Sequence, residues 1–290
     1  MTIGEMIGQG FHYARTCRSL WLFGFFVGIA SGGSGGSNGG AGIANGGTDD
    51  GAGLTGFPFA LSITDFPPIV LAIVAVLVVM ALAGILLHYI SEGALIEGIV
   101  RARKGERTTM GDGFRAGWRH WGVLLRIALL YFAAVIGSLV LLAAPCVIAL
   151  RAFGATGGVA LGIPALIIAV PWLITLYLVQ AFASRIAVLE NRRALDAIHK
   201  ARLFLHGRIR HGLKLIVTTF VGTIGVALLS IAVILPVVLL LVLLVRVMHI
   251  LPVVVLGCLV LLPIGFVLIA MLGTFRSSIW TIGYVTEVEA

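Results

Sequence analysis

Apolar residues in this chain come in long unbroken runs, without the alternation or three-to-four spacing of elements that keep one face in water. The clearest runs are residues 67–90, 121–150, 157–183, 213–245 and 250–272. A helix rises about 1.5 Å per residue, so about 20 apolar residues cross a hydrocarbon core of about 30 Å. All five runs reach that length and several exceed it, which predicts tilt or protrusion. Pro145, Pro164, Pro171, Pro236 and Pro263 fall inside the runs and predict bends, because proline removes a backbone donor. A sixth run, residues 20–30, is short. Extended back to Phe11 it reaches the needed length but takes in Arg15 and Arg18, whose long side chains can reach the headgroups from the end of a span. The same stretch has the basic start, apolar middle and small residues, Gly28 and Ala30, of a secretory signal. The reading adopted is a retained span. The pattern predicts an all-α fold, a polytopic transmembrane bundle of six spans in a single membrane domain over residues 1–290.

Composition agrees with this. The chain is 60% hydrophobic and only 11% charged, against about 25% charged in ordinary soluble domains. The net charge of +8 raises nucleic acid as a partner, but no aromatic–basic module of the usual kinds is present, and the cations sit in short connections between apolar runs. That distribution sets a topology. Residues 91–120 carry Arg101, Arg103, Lys104, Arg107, Arg115 and Arg119; residues 184–212 carry Arg185, Arg192, Arg193, Lys200, Arg202, Arg208 and Arg210. On the other side, residues 31–66 carry no basic residue, and the later connections carry Arg151 and Arg246. The positive-inside rule then puts the basic connections and both termini in the cytoplasm. Residues 31–56, rich in Gly, Ser and Asn, read as a flexible loop on the opposite side. One stretch in that loop, Gly46 to Gly51, is weakly similar to a glycine-rich calcium repeat, but a single copy has no stacked neighbours. Cys17, Cys146 and Cys258 lack metal or redox spacing and read as free buried thiols.

Three polar stretches precede the three pairs of runs and share a pattern. An acid recurs at Glu5, Asp112 and Asp196, a large apolar residue two positions on at Ile7, Phe114 and Ile198, and a small one five positions on at Gly10, Gly117 and Ala201. Thr2 with Glu5 and Thr109 with Asp112 have the spacing of a helix-capping pair; the third copy keeps only the acid. Met110, Phe114, Trp118 and Trp121 fall on one helical face, and Leu195, Ile198 and Leu205 on another. Each stretch predicts a short amphipathic helix lying in the interface or beneath the bundle. The chain would then hold three parallel repeats, residues 2–90, 108–183 and 192–275, each an interfacial helix followed by a transmembrane hairpin.

Three further stretches carry a resemblance: Ser19 to Gly24, Ser91 to Gly98, and Ala187 to Asn191 with Ala194 to Ile198. With the helix at 109–118 they resemble a broad group of uncharacterised bacterial multi-pass membrane proteins, including the membrane domain attached to some glycerophosphodiester phosphodiesterases. The resemblance implies a six-span helical domain of the bacterial cytoplasmic membrane. It implies no enzyme, because the soluble phosphodiesterase barrel and its metal-binding carboxylates are absent from this chain.

Ionisable groups at membrane depth are candidates for function. Arg126, five residues into its run, is the foremost; His88 and Glu92, one helical turn apart, and Gln180 complete a candidate intramembrane polar site. Arg101, Arg103, Lys104, Arg192, Arg193 and Lys200 are candidate contacts for anionic lipid headgroups. Phosphate-binding, serine-hydrolase and zinc-protease signatures are absent, so no catalytic, cofactor-binding or metal-binding residue is assigned and no cofactor is expected. The first functional expectation is a non-enzymatic, lipid-interacting or membrane-organising module. The alternatives are a transporter or channel with its polar site near Arg126, or an enzyme of lipid headgroups using His88 and cytoplasmic acids. The partners expected are membrane lipids with anionic headgroups, with a membrane-protein partner or a second copy left open, and no nucleic acid.

Overall fold

A computed structural model of the chain describes residues 3–16, 18–35, 68–106, 109–207, 209–246 and 250–289. Among these every regular element is helical. The elements are α1 (Ile3–Thr16), a 3-10 turn (Arg18–Leu20), α2 (Trp21–Gly35), α3 (Pro68–Arg103), α4 (Met110–Leu189), α5 (Ala194–Leu205), α6 (Ile209–Val245) and α7 (Ile250–Glu289). α4 is two helices joined across a kink at Gly154, where φ is 67° and ψ is −160°. Its arms are α4a (Met110–Gly154) and α4b (Thr156–Leu189). Only glycine takes that backbone conformation readily, which is why the chain reverses there with no loop. The connection between the runs ending at 150 and starting at 157 is therefore helix apart from the kink itself. The five prolines expected to bend the runs all lie inside helices, and Gly154 is the interior position of α4 with non-helical angles.

Five helices are long and apolar enough to cross a membrane: α3, α4a, α4b, α6 and α7. α2 has 15 residues. The first run does not extend back to Phe11 as one helix, because α1 closes at Thr16 and the 3-10 turn intervenes. Arg15 thus belongs to the amphipathic α1, which packs on α7 and α6, rather than to a span. The second amphipathic stretch is not a separate helix either. It opens α4 with a capping box, in which the Thr109 hydroxyl accepts from the Asp112 amide and the Asp112 carboxylate accepts from the Thr109 amide, and it runs unbroken into the span. No proline interrupts residues 110–144, and each glycine there costs a helix only about 1 kcal/mol. The Gly-rich loop at 31–56 lies outside the described residues from residue 36 onward, as do Thr2 and Cys17.

Packing is concentrated at one end of the molecule. Leu178, Phe182, Ile186, Leu215, Phe275 and Ile279 are almost wholly buried and tie α4b, α6 and α7 together. Leu20, Phe23, Leu95, Ile99 and Ile282 join the 3-10 turn, α2, α3 and α7. Glycines let backbones meet at two crossings: Gly24 and Gly28 of α2 lie against Ala270, Ile269 and Gly273 of α7, and Gly93 of α3 lies against Gly117 of α4a. Away from this end the helices present apolar side chains outward. In α3, residues 71–86 are exposed without exception, and Leu141, Phe153 and Leu259 are each more than 70% exposed. Leaving one such side chain in water costs about 1.5–3 kcal/mol, so about ten would cancel the 5–15 kcal/mol that holds a typical domain folded. Lipid removes that cost, and these surfaces are those of a membrane protein.

Candidate functional site

A polar cavity of about 410 Å³ opens among α3, α4b and α7, with Val27 of α2 and Tyr131 of α4a at its edge. α3 supplies His88 and Glu92, one turn apart; α4b supplies Tyr177, Gln180, Ala181, Ser184 and Arg185; α7 supplies Arg276, Ser277 and Trp280. On α3 the site falls where burial begins: residues 71–86 are exposed, residues 87–89 half-buried and Ile90 buried. On α4b the same change falls at Leu178. The cavity therefore sits between the packed end and the outward-facing apolar segments. A cavity of this size with a few converging polar groups has the dimensions of a small-ligand site.

Arg185 is the most constrained member. It is 8% exposed. Its Nη1 donates to the carbonyl of Ala181 at 2.7 Å and to the Ser184 hydroxyl at 3.4 Å. Glu92 is its nearest carboxylate, with Oε1 4.0 Å away, the outer limit of an ion pair. The guanidinium lies over the Trp280 ring, 5.8 Å from the centroid, a cation–π arrangement. Its Nε has no hydrogen-bond partner, and the same holds for His88 Nδ1, Ser91 Oγ, Ser277 Oγ and Thr281 Oγ1. Arg185 thus meets one carboxylate at the limit of an ion pair, with its Nε–H and several nearby polar atoms unused. Burying a charge so incompletely paired costs several kcal/mol.

His88, Glu92 and Gln180, singled out in the sequence, come together in this cavity; Arg126 does not. Arg126 is exposed on α4a and lines neither of the two cavities described here. Arg185 and Arg276 complete the cluster instead; in the sequence Arg185 falls in a basic connection and Arg276 four residues past the run 250–272. The signal was present: Ile186-Ala187-Val188-Leu189 after Arg185, and Ile279 to Val285 after Arg276, continue each apolar helix by one or more turns.

The expected lipid contacts differ in their surroundings. Arg101 pairs with Glu97, while Arg192 and Lys200 pair with Glu190. Lys104 and Arg193 are exposed, and Arg103 is half-buried. Glu97 also accepts from Arg119 at 3.3 Å, linking α3 to α4a. Glu190 accepts from Lys200 Nζ at 2.6 Å, Arg192 Nε at 2.9 Å and Tyr284 Oη at 3.0 Å, linking the end of α4b to α5 and α7. Burial pushes the Glu190 carboxyl up, but the hydrogen bonds from Lys200, Tyr284 and Arg192 outweigh it and hold its pKa below the usual value. A second, smaller cavity of about 320 Å³ is lined by Glu97, Arg101, Asp112, Arg115, Ala116 and Arg119.

On the same part of α4a, Gly113, Ala116, Gly117 and His120 face inward, while Met110, Phe114 and Trp118 are each about half exposed. Phe114 stacks on Trp118 with centroids 6.0 Å apart. In α5 the buried face is Ala194, Ala197, Ala201 and Leu205. Leu195, expected on the apolar stripe, is 69% exposed, because the small alanines rather than the leucine make the close approach. Of the cysteines expected to be buried, Cys258 is exposed and Cys146 half-buried, and both are free thiols. Among the described residues no group of His, Cys, Asp and Glu could hold a metal ion. Compared with known proteins, the chain matches no family model, no curated protein and no solved structure.

Proposed function

We propose that this chain is a six-span protein of the bacterial cytoplasmic membrane, with its basic connections and both termini on the cytoplasmic side. In this reading α2 completes the sixth span, and the protein acts without catalysis, gathering anionic lipids around its basic end. The observation that carries the reading is the exposed stripe Met110, Phe114 and Trp118, continuous with a span and flanked by the exposed Arg115 and Arg119. Half-exposed aromatic rings beside guanidinium groups suit the headgroup level of a bilayer. Each basic residue near an anionic surface contributes about 1 kcal/mol, so a handful is enough to enrich anionic lipid severalfold. The test is reconstitution with spin-labelled phosphatidylglycerol or phosphatidylcholine. Phosphatidylglycerol should be enriched at the protein surface, less so at high salt and less so in the triple variant Lys104→Gln, Arg115→Gln, Arg193→Gln. Equal association of the two lipids contradicts the reading.

Three observations support a parallel threefold repeat beneath this activity. The small residues of the three matching stretches, Gly10, Gly117 and Ala201, are all buried. The second span crosses the third at Gly93 and Gly117, and the last crosses α2 at Gly273 and Gly24. The three helices that close the hairpins, α3, α4b and α7, each bring polar side chains to the cavity. That shared cavity also favours a second reading, a transporter or channel, with its site at Arg185 rather than at Arg126. Reconstituted vesicles that pass no small anion, in either direction, would contradict this second reading.

A further inference from the structure

Arg185 is incompletely paired in the cavity. Arg276 lines the same cavity, near enough to repel Arg185. The Glu92 carboxylate stops at 4.0 Å from Arg185, and Arg185 Nε stays without a partner although the side chain is more than nine-tenths buried. Around it the Ser277 hydroxyl and His88 Nδ1 are also without a partner. A buried planar guanidinium with an unused N–H, a second guanidinium in the same lining and an unpartnered hydroxyl together make a receptor for an anion with several oxygens. The place of the cavity adds a second requirement: its lining straddles the change from buried core to outward-facing apolar helix on α3 and α4b. A ligand there can keep an apolar portion among the lipid-facing segments while its charged end reaches Arg185.

We propose that this cavity binds an oxyanion of the phosphate class, as a free anion or as the headgroup of an amphiphile, held by Arg185 and Arg276, with Glu92 as the internal anion that competes for the same guanidinium. The proposal rests on the membrane reading above but not on lipid enrichment at the basic surface.

The experiment is calorimetric titration of the full chain in a non-ionic detergent with inorganic phosphate, short-chain phosphatidylglycerol and short-chain phosphatidylcholine. The anionic probes should bind more tightly than phosphatidylcholine. Arg185→Gln should weaken that binding about tenfold or more, the size of one or two lost charge-assisted hydrogen bonds. Glu92→Gln should strengthen it, because the competing carboxylate is gone. Phosphate that binds as well as phosphatidylglycerol assigns the site to a free anion; phosphate that binds far more weakly assigns it to the lipid headgroup. If Arg185→Gln fails to elute as a monodisperse particle, Arg276→Gln and Glu92→Gln carry the test. Equal affinities in the wild type and a folded Arg185→Gln or Arg276→Gln variant, a Glu92→Gln variant that binds less tightly, or no binding by either anionic probe, overturn the proposal. Binding in the cavity should persist at high salt, because buried charges are screened little, whereas surface enrichment should not. The two readings therefore fail independently.

Discussion

Glu190 stands where three elements meet, and its bonds to Lys200, Arg192 and Tyr284 join the end of α4b to α5 and α7. Because folding lowers the pKa of this carboxyl, the folded chain holds the charged form more readily than the unfolded chain does. Its stabilisation is complete above the ordinary glutamate value of about 4.3 and is lost as pH falls below it. Lys200 and Arg192 are about half exposed, so solvent screens much of the attraction, and Glu190→Gln should cost only about 1 kcal/mol at neutral pH. Thermal melts in detergent should show the wild type and Glu190→Gln converging as pH falls below the ordinary glutamate range; a gap that persists at acid pH contradicts this assignment. At the same scale the sequence led to part of the candidate site. His88, Glu92 and Gln180 stood out because a polar group in an apolar run is costly. Arg126 stood out for the same reason, but depth along a run does not say which side of the helix a residue occupies, and Arg126 is exposed on α4a. Arg185 and Arg276 were passed over because a cation after a long apolar run reads as the start of a connection.

Between helices, glycine position decides how close two backbones come. A Cβ added at Gly273 would run into the backbone of Gly24 and Gly28, so α2 and α7 would have to separate. Gly273→Ala should destabilise the protein by about 1–3 kcal/mol through overpacking. Gly84→Ala and Gly265→Ala meet nothing within 4 Å and should be neutral or stabilising by up to about 1 kcal/mol in the same melts. A Gly273→Ala variant as stable as Gly84→Ala would mean that the α2–α7 crossing is not formed. Long apolar helices were legible in the sequence because each run alone exceeds what a soluble fold can bury. Their ends were not. The 109–118 stretch was separable on paper by its amphipathic pattern, yet nothing in its backbone stops the helix, so it is continuous with its span. The converse holds at Thr16, where α1 ends inside what reads as a single run extended from Phe11. The apolar stripe of α5 was misjudged at Leu195 because a helix that docks closely does so through alanines, which a hydrophobic pattern underweights.

The whole molecule has two ends of opposite character. One is a packed core with ion pairs at Glu97, Glu190 and between His211 and Glu287; the other is a set of helices whose large apolar side chains face outward. Such a particle is stable only where acyl chains surround its outer helices, and the proposed topology keeps the cationic connections together on one side. That arrangement is the premise of both the lipid reading and the anion site. Single cysteines at Lys104→Cys, Arg193→Cys and Arg246→Cys, in a background without Cys17, Cys146 and Cys258, can be tested in intact cells and inverted vesicles with a membrane-impermeant maleimide. Lys104→Cys and Arg193→Cys should label only in inverted vesicles and Arg246→Cys only in intact cells. Labelling of Lys104→Cys and Arg193→Cys from opposite sides would contradict the account.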